Sequence, residues 1–109
     1  MTIPQLSVQE LKNRLDSEDI PLLVDCRNDD ERQYCQIEPS LFIPLPEMIS
    51  RVQEVEPTDG QMVVVYCHHG VRSLRGAAIL LNSGISNVYS LAGGIDAWSV
   101  MIDPKVRRY

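Results

Sequence analysis

Basic charge is scarce in this sequence. Ten Lys and Arg stand against 15 Asp and Glu, a net charge of −5 with histidine neutral. A phosphate-binding surface needs a basic face, so general nucleic-acid binding is disfavoured as a function class. Cysteine is sparse too: Cys26, Cys35 and Cys67 are three, an odd number without the spacing of a disulfide framework. That points to a reducing compartment and at least one free thiol. Long hydrophobic runs are missing, and the longest are far too short to cross a bilayer. The stretch from Met1 to Leu6 lacks a basic segment followed by an apolar run, so no signal peptide and no membrane partner are expected. A cytoplasmic protein is the plain expectation. Internal repeats, low-complexity stretches and linkers are absent as well. The 109 residues match one globular domain of roughly 100–150 residues, so a single domain over 1–109 is expected, without metal or disulfide staples.

What is present is an alternation of short apolar runs and helical periods. Ser7-Val8-Gln9-Glu10 has the form of a capping box, and Val8, Leu11 and Leu15 recur at helical spacing, which predicts a helix from about Val8 to Asp16. Leu22-Leu23-Val24, ending at Asp25, suits a strand buried on both faces. Asn28 or Asp29 can cap a short polar helix, and Leu41-Phe42-Ile43 is a second strand candidate closed by Pro44. Pro46 to Val55 reads as a further helix, with proline in its first turn. Met62-Val63-Val64-Val65-Tyr66 is the clearest strand in the chain. The helix after it should carry Leu74, Ala77, Ala78 and Leu81 on one face and stop at Gly84. Asn87 to Ser90 reads as a last strand, Gly93-Gly94 as a turn and Ile95 to Met101 as a last helix. Strands alternating with helices imply an α/β fold with a mainly parallel central sheet.

The chemistry concentrates where Cys67-His68-His69-Gly70-Val71-Arg72-Ser73 follows the clearest strand. Ligands of open α/β sheets bind outside the carboxyl ends of the strands. A helix N-terminus there offers unpaired N–H groups and the positive end of its dipole, which stabilises a thiolate. Gly70 lets the loop turn its amides toward the sulfur. Arg72 either places a permanent positive charge beside that anion or braces the loop through its fork of donors. Adjacent His68 and His69 without a second ligand cluster make a poor metal site, so no metal is expected. Cys26 and Cys35 read as core or partly exposed thiols, and sequence does not show whether either reaches Cys67.

Val65 to Ser73 resembles the active-site loop of rhodanese-like domains. Leu23-Val24-Asp25-Cys26-Arg27, followed by Glu31, is similar to that family's strand ending in Asp-x-Arg. Gln36-Ile37 to Ile43-Pro44-Leu45 resembles its Ile-Pro strand end, and Leu91 to Trp98 its Gly-Gly-x-x-x-Trp element. The resemblance implies a three-layer α/β/α fold and a single-domain sulfurtransferase of the thiosulfate:cyanide type. In that scheme Cys67 takes a sulfane sulfur from thiosulfate or another persulfide and passes it to a thiol, cyanide or protein acceptor. The amides of His68, His69, Gly70, Val71, Arg72 and Ser73 would stabilise the persulfide, Arg72 would support the loop, and Asp25 and Arg27 would hold the neighbouring strand end and the substrate mouth. Arg27 is equally suited to an ion pair with Asp29, Asp30 or Glu31. No metal or organic cofactor is implied. The family's usual Gly-His-Ile is replaced by Cys35-Gln36-Ile37, so no role of that histidine carries over. The tail Asp103 to Tyr109 resembles the ending of rhodanese domains fused to adenylyltransferases, which implies a sulfur-carrier protein or its adenylyltransferase as partner.

Two other functions compete. A small phosphatase or arsenate reductase shares the strand–loop–helix design, but with a cradle one residue longer than the four residues between Cys67 and Arg72. A docking module with idle chemistry is the other, and retention of Cys67, Gly70 and Arg72 counts against it.

Overall fold

The computed structural model describes residues 2–109; Met1, the first residue of the stretch read for a signal peptide, lies outside them. Its elements are β1 (Gln5–Leu6), α1 (Val8–Leu15), β2 (Leu22–Asp25), α2 (Asp29–Tyr34), β3 (Leu41–Phe42), β4 (Val63–Tyr66), α3 (Arg72–Asn82), β5 (Val88–Leu91) and α4 (Gly94–Met101). The strands form one five-stranded sheet in the order β1-β5-β4-β2-β3. Every pairing in it is parallel.

The capping box at α1 forms as the sequence predicts: Glu10 N–H donates to Ser7 Oγ at 3.1 Å, and Ser7 N–H to Glu10 Oε1 at 3.1 Å. The central strands follow the period-two rule. Leu23, Val64 and Tyr66 enter the core shared with α1 and α4, alongside Leu11, Ile95 and Trp98. Val24, Cys26, Val63, Val65 and Cys67 enter the opposite core with Ala77 and Leu80 of α3. Helices on both faces of a parallel sheet give the three-layer arrangement.

Several predicted details shift. The segment from Pro46 to Val55 is no continuous helix; it holds two short 3-10 turns, Leu45–Glu47 and Val52–Glu54. Met48 and Val55 are its buried residues, seven positions apart, too few to hold a full amphipathic helix against the sheet. The buried stripe of α3 is Ser73, Gly76, Ala77 and Leu80, one position earlier than Leu74, Ala77, Ala78 and Leu81. Gly76 explains this offset. A Cβ there would stand 3.1 Å from Val65 Cγ1, so the helix is seated on the strand through its glycine. The two-residue strand β1 carries too little periodicity to be read from sequence.

The order of the strands positions the site. The chain leaves β2 toward β3 at one edge and leaves β4 toward β5 on the other side. The carboxyl ends of β2 and β4 therefore flank a topological switch point, the place where open parallel sheets bind ligands.

Candidate active site

Cys67 is the first residue past β4, and its side chain lies on the α3 face, only 1% exposed. Two main-chain amides converge on its sulfur: Gly70 N–H at 3.2 Å and Ser73 N–H at 3.3 Å. Ser73 belongs to the first turn of α3, so one of the helix's orphan donors is spent on the sulfur. Ser73 Oγ stands 3.4 Å from the sulfur and 2.7 Å from Ser90 Oγ. With the thiol ionised, Ser73 donates to sulfur and Ser90 donates to Ser73, so a buried relay of hydroxyls ends on the anion.

Two carbonyls of the loop are engaged by α4. Ile95 N–H donates to Cys67 O at 2.9 Å, and Asp96 N–H to His68 O at 3.1 Å. The N-terminus of α4 thus takes the acceptors that would repel a thiolate, leaving donors on the sulfur side. This approach demands glycine at two places. Gly70 lies at φ +96°, and a Cβ there would press on Gly93 N and Leu91 O. Gly94 lies at φ +59°, and a Cβ there would collide with the carbonyls of Cys67 and His68.

These contacts hold Cys67 as a thiolate, with its pKa lowered to about 4. The neighbouring Cys26 thiol contributes most, followed by the Ser73 hydroxyl and the amides of Ser73 and Gly70, against the opposing effect of burial.

Arg72 reaches away from the sulfur to α2. It pairs fork-to-fork with Glu31 of α2, at 2.7 and 2.9 Å. Glu31 also accepts from Asn28 N–H at 3.0 Å and from the Tyr109 hydroxyl at 2.6 Å. Arg72, Tyr109 and the Asn28 amide together lower its pKa to about 2 in spite of partial burial. Within the stretch Asp29 to Arg32, Asp29 and Asp30 are exposed while Glu31 turns inward, and Arg32 follows it.

Asp25 and Arg27 sit elsewhere than the expected substrate mouth. Both are fully buried and pair with each other at 2.8 Å, so the partner of Arg27 is Asp25 rather than the Asp29, Asp30 or Glu31 carboxylate. Arg27 also donates to Cys35 O at 2.6 Å and to the Tyr109 hydroxyl at 3.0 Å, and Arg32 adds a second cation to Asp25 at 3.2 Å. With every polar atom of the pair engaged, neither side chain has a donor to offer a substrate.

The histidines form a stack with Tyr109. His68 lies between His69 and Tyr109, each ring centroid 3.8 Å away, and His68 Nε2–H donates to Tyr109 O at 2.8 Å. Val71 is exposed on the outer side of the loop. The ligand atoms of His68, His69 and Asp96 lie within 4.8 Å of one another. His68 Nε2 is bonded to Tyr109 O, and Asp96 is paired with Arg108 at 2.9 Å. Ser90, Gly94 and Tyr109 are site residues that sequence reasoning did not single out. Gly-Gly ahead of the last helix was the one available signal.

The family model of the Rhodanese-like domain matches residues 7–101. The chain therefore belongs to the rhodanese-like family. It is 37% identical over 98 residues to a sulfurtransferase of Allochromatium vinosum, covering 89% of each chain. Over 105 residues it is 30% identical to an adenylyltransferase and sulfurtransferase, MOCS3-2, of Zea mays, covering 92% of this chain and 22% of that one. Its fold matches the human single-domain sulfurtransferase TSTD1 with a TM-score of 0.80 at 25% identity, covering 92% of this chain and 98% of that one. Among the described residues, no helix is long and apolar enough to cross a membrane.

Proposed function

We propose that this protein is a persulfide-forming sulfurtransferase with Cys67 as its nucleophile and thiosulfate as one competent donor. The carrying observation is the sulfur of Cys67 held by the amides of Gly70 and Ser73 at 3.2 and 3.3 Å, with the carbonyls of Cys67 and His68 taken by amides of α4. The thiolate attacks the outer sulfur of thiosulfate; the sulfur–sulfur bond of the donor breaks, and sulfite leaves with its electron pair. The added sulfur carries the negative charge and rests in the loop, whose amides and helix dipole stabilise it as they did the thiolate. A thiol, cyanide or the acceptor of a protein partner then attacks that outer sulfur, and Cys67 departs as the thiolate it was. Arg72 acts through Glu31, holding the loop rigid, and Asp25 with Arg27 fix the adjoining strand end. A sulfur-carrier protein or its adenylyltransferase is the acceptor class we favour, because the tail resembles such fusions and one relative combines both activities by name. Three free thiols suit the reducing cytoplasm.

The test is the intact mass of wild type and Cys67→Ser after thiosulfate, together with turnover once cyanide or a thiol is added. Wild type should gain one sulfur atom and turn over, and Cys67→Ser should do neither, with activity at least about 10³-fold lower. Unchanged mass and absent turnover in the wild type would overturn the reading; Cys67-dependent cleavage of an aryl phosphate would replace it with a phosphatase.

A further inference from the structure

One thiol beside the site has no part in the scheme above. β2 and β4 pair in register, Asp25 against Tyr66, so the next residue on each strand is a cysteine: Cys26 opposite Cys67. The ladder continues past the strand ends, with Cys26 N–H donating to Tyr66 O at 3.1 Å. Both side chains point to the α3 face, and both thiols are free. The Cys26 S–H stands 3.4 Å from Tyr66 O, the carbonyl immediately before Cys67. Adjacent strands lie about 4.8 Å apart, inside the roughly 4.4–6.8 Å between Cα atoms that a disulfide spans. Cys35 is turned away, against Arg27 Nη1 at 3.7 Å.

We propose that Cys26 is the resolving thiol of Cys67: when a hydroperoxide oxidises the nucleophile, Cys26 closes a reversible disulfide with it before further oxidation. The proposal rests on the reading of Cys67 as a reactive thiolate. In the first step the thiolate attacks one oxygen of the peroxide. The O–O bond breaks, a sulfenic acid forms on Cys67, and hydroxide leaves, or an alkoxide from an organic peroxide. In the second step Cys26 sulfur attacks Cys67 sulfur, the S–O bond breaks, and the oxygen leaves as water with the thiol proton. Cys67 has given up two electrons in the first step, and the two sulfurs share the oxidation after the second.

The charge balance supports this order of events. Beside the Cys67 thiolate, Cys26 is held protonated: the hydrogen bond to Cys67, burial and the like charge all push its pKa upward. A neutral sulfenic acid removes that repulsion, so Cys26 becomes a competent nucleophile only after Cys67 has been oxidised. Burial matters as well. Both residues are 1% exposed, which hinders a protein thiol or bulky reductant from intercepting the sulfenic acid first.

The experiment treats the reduced full chain with hydrogen peroxide, blocks remaining thiols, and reads intact mass and a non-reducing peptide map. Wild type, Cys26→Ala, Cys26→Val and Cys35→Ala are compared, with circular dichroism to confirm folding and thiosulfate loading measured before and after dithiothreitol. Wild type and Cys35→Ala should lose two hydrogens, join the Cys26 and Cys67 peptides, and recover loading on reduction. Both Cys26 variants should gain two or three oxygens on Cys67 and recover at least about tenfold less loading after reduction, since sulfinic and sulfonic acids resist thiols. Oxygenation of Cys67 in wild type equal to that in the variants, or a bridge from Cys67 to Cys35 or to a second chain, overturns the proposal while leaving thiosulfate loading to stand. A Cys26–Cys67 bridge in a protein that thiosulfate never loads keeps the proposal and removes the sulfurtransferase reading.

Discussion

Asp25 at the end of β2 and Cys67 just past the end of β4 are anions on neighbouring strands at the same rim of the sheet, and they are held in opposite ways. The carboxylate is closed in by two guanidiniums, from Arg27 and Arg32, that leave it fully buried. The thiolate receives dipoles only: the Cys26 thiol, two amides, a hydroxyl and a helix N-terminus, with the Arg72 guanidinium turned toward Glu31. A guanidinium contact fixes an anion of one size and shape. A ring of amides tolerates a charge that shifts outward by one sulfur, because each N–H contributes a share and none defines the whole geometry. The first arrangement suits a scaffold, and the second suits the carrier role proposed for Cys67.

The widest separation between the two regions should appear with Arg27→Ala. Removing it leaves the Asp25 carboxylate buried with Arg32 alone, and uncompensated buried charge costs about 3–5 kcal/mol. Urea unfolding should show that loss, while sulfur loading per folded molecule stays near the wild-type value. A drop in loading with little loss of stability would place Arg27 at the substrate after all.

Arg72→Ala should invert that pattern. Glu31 is only partly buried and can be solvated, so stability changes little, but the loop loses its brace. Misplacing reacting groups by about 1 Å costs on the order of 10²-fold in rate, and loading should fall by that order. Arg72→Lys should rescue little of it, since an ammonium cannot reproduce the fork-to-fork pair. The brace itself is insensitive to acid over the working range. The depressed carboxyl of Glu31 contributes stability that is present above the usual carboxylate range and is lost only as pH falls through about 2. Cys67 should therefore be seen to titrate near pH 4 on an intact loop, by the pH dependence of its alkylation.

These two arginines also mark what was legible in the chain and what was not. The apolar run from Met62 to Tyr66, the capping box at Ser7, the stop at Gly84 and the run from Cys67 to Ser73 are local, and each appears in the fold close to where the sequence predicts it. The use of the charges depends on contacts far along the chain. Arg72 meets Glu31 across 41 positions, Ser73 meets Ser90 across 17, and Tyr109 meets Glu31 across 78. No periodicity records such pairs. Arg27 misleads for a subtler reason: its partner Asp25 is only two positions away, but that spacing means contact only because Arg27 lies past the strand, where the chain turns back. The register that sets Cys26 beside Cys67 likewise exists only once β2 and β4 are known to be neighbours.

A smaller effect follows from Ser73→Ala, which tests whether hydroxyls matter beside amides. The thiolate loses one donor and Ser90 loses its partner, while the Ser73 amide remains. The alkylation midpoint of Cys67 should move up by roughly one pH unit, equivalent to about 1.4 kcal/mol. Loading at pH 8 should change little, because the thiol stays ionised there. An unmoved midpoint would leave the amides and Cys26 as the only donors that count.

The smallest change is expected where the two regions touch. The Tyr109 hydroxyl donates to Glu31 at 2.6 Å and accepts from Arg27 Nη1 at 3.0 Å, so one side chain joins the loop brace to the buried pair. Tyr109→Phe keeps the ring stacked on His68 and removes only that bridge, at a cost of about 0.5–1.5 kcal/mol. The informative quantity is the coupling. If the regions act separately, Tyr109→Phe and Arg72→Ala should be additive in loading rate to within about 0.5 kcal/mol. Glu31, however, receives both Arg72 and Tyr109 on the same oxygen, Oε2. Removing either should loosen the grip of the other, so the double variant should lose less than the sum. Additivity would mean that the carrier loop is insulated from the scaffold beside it; coupling would make the tail part of the machinery that aims the sulfur.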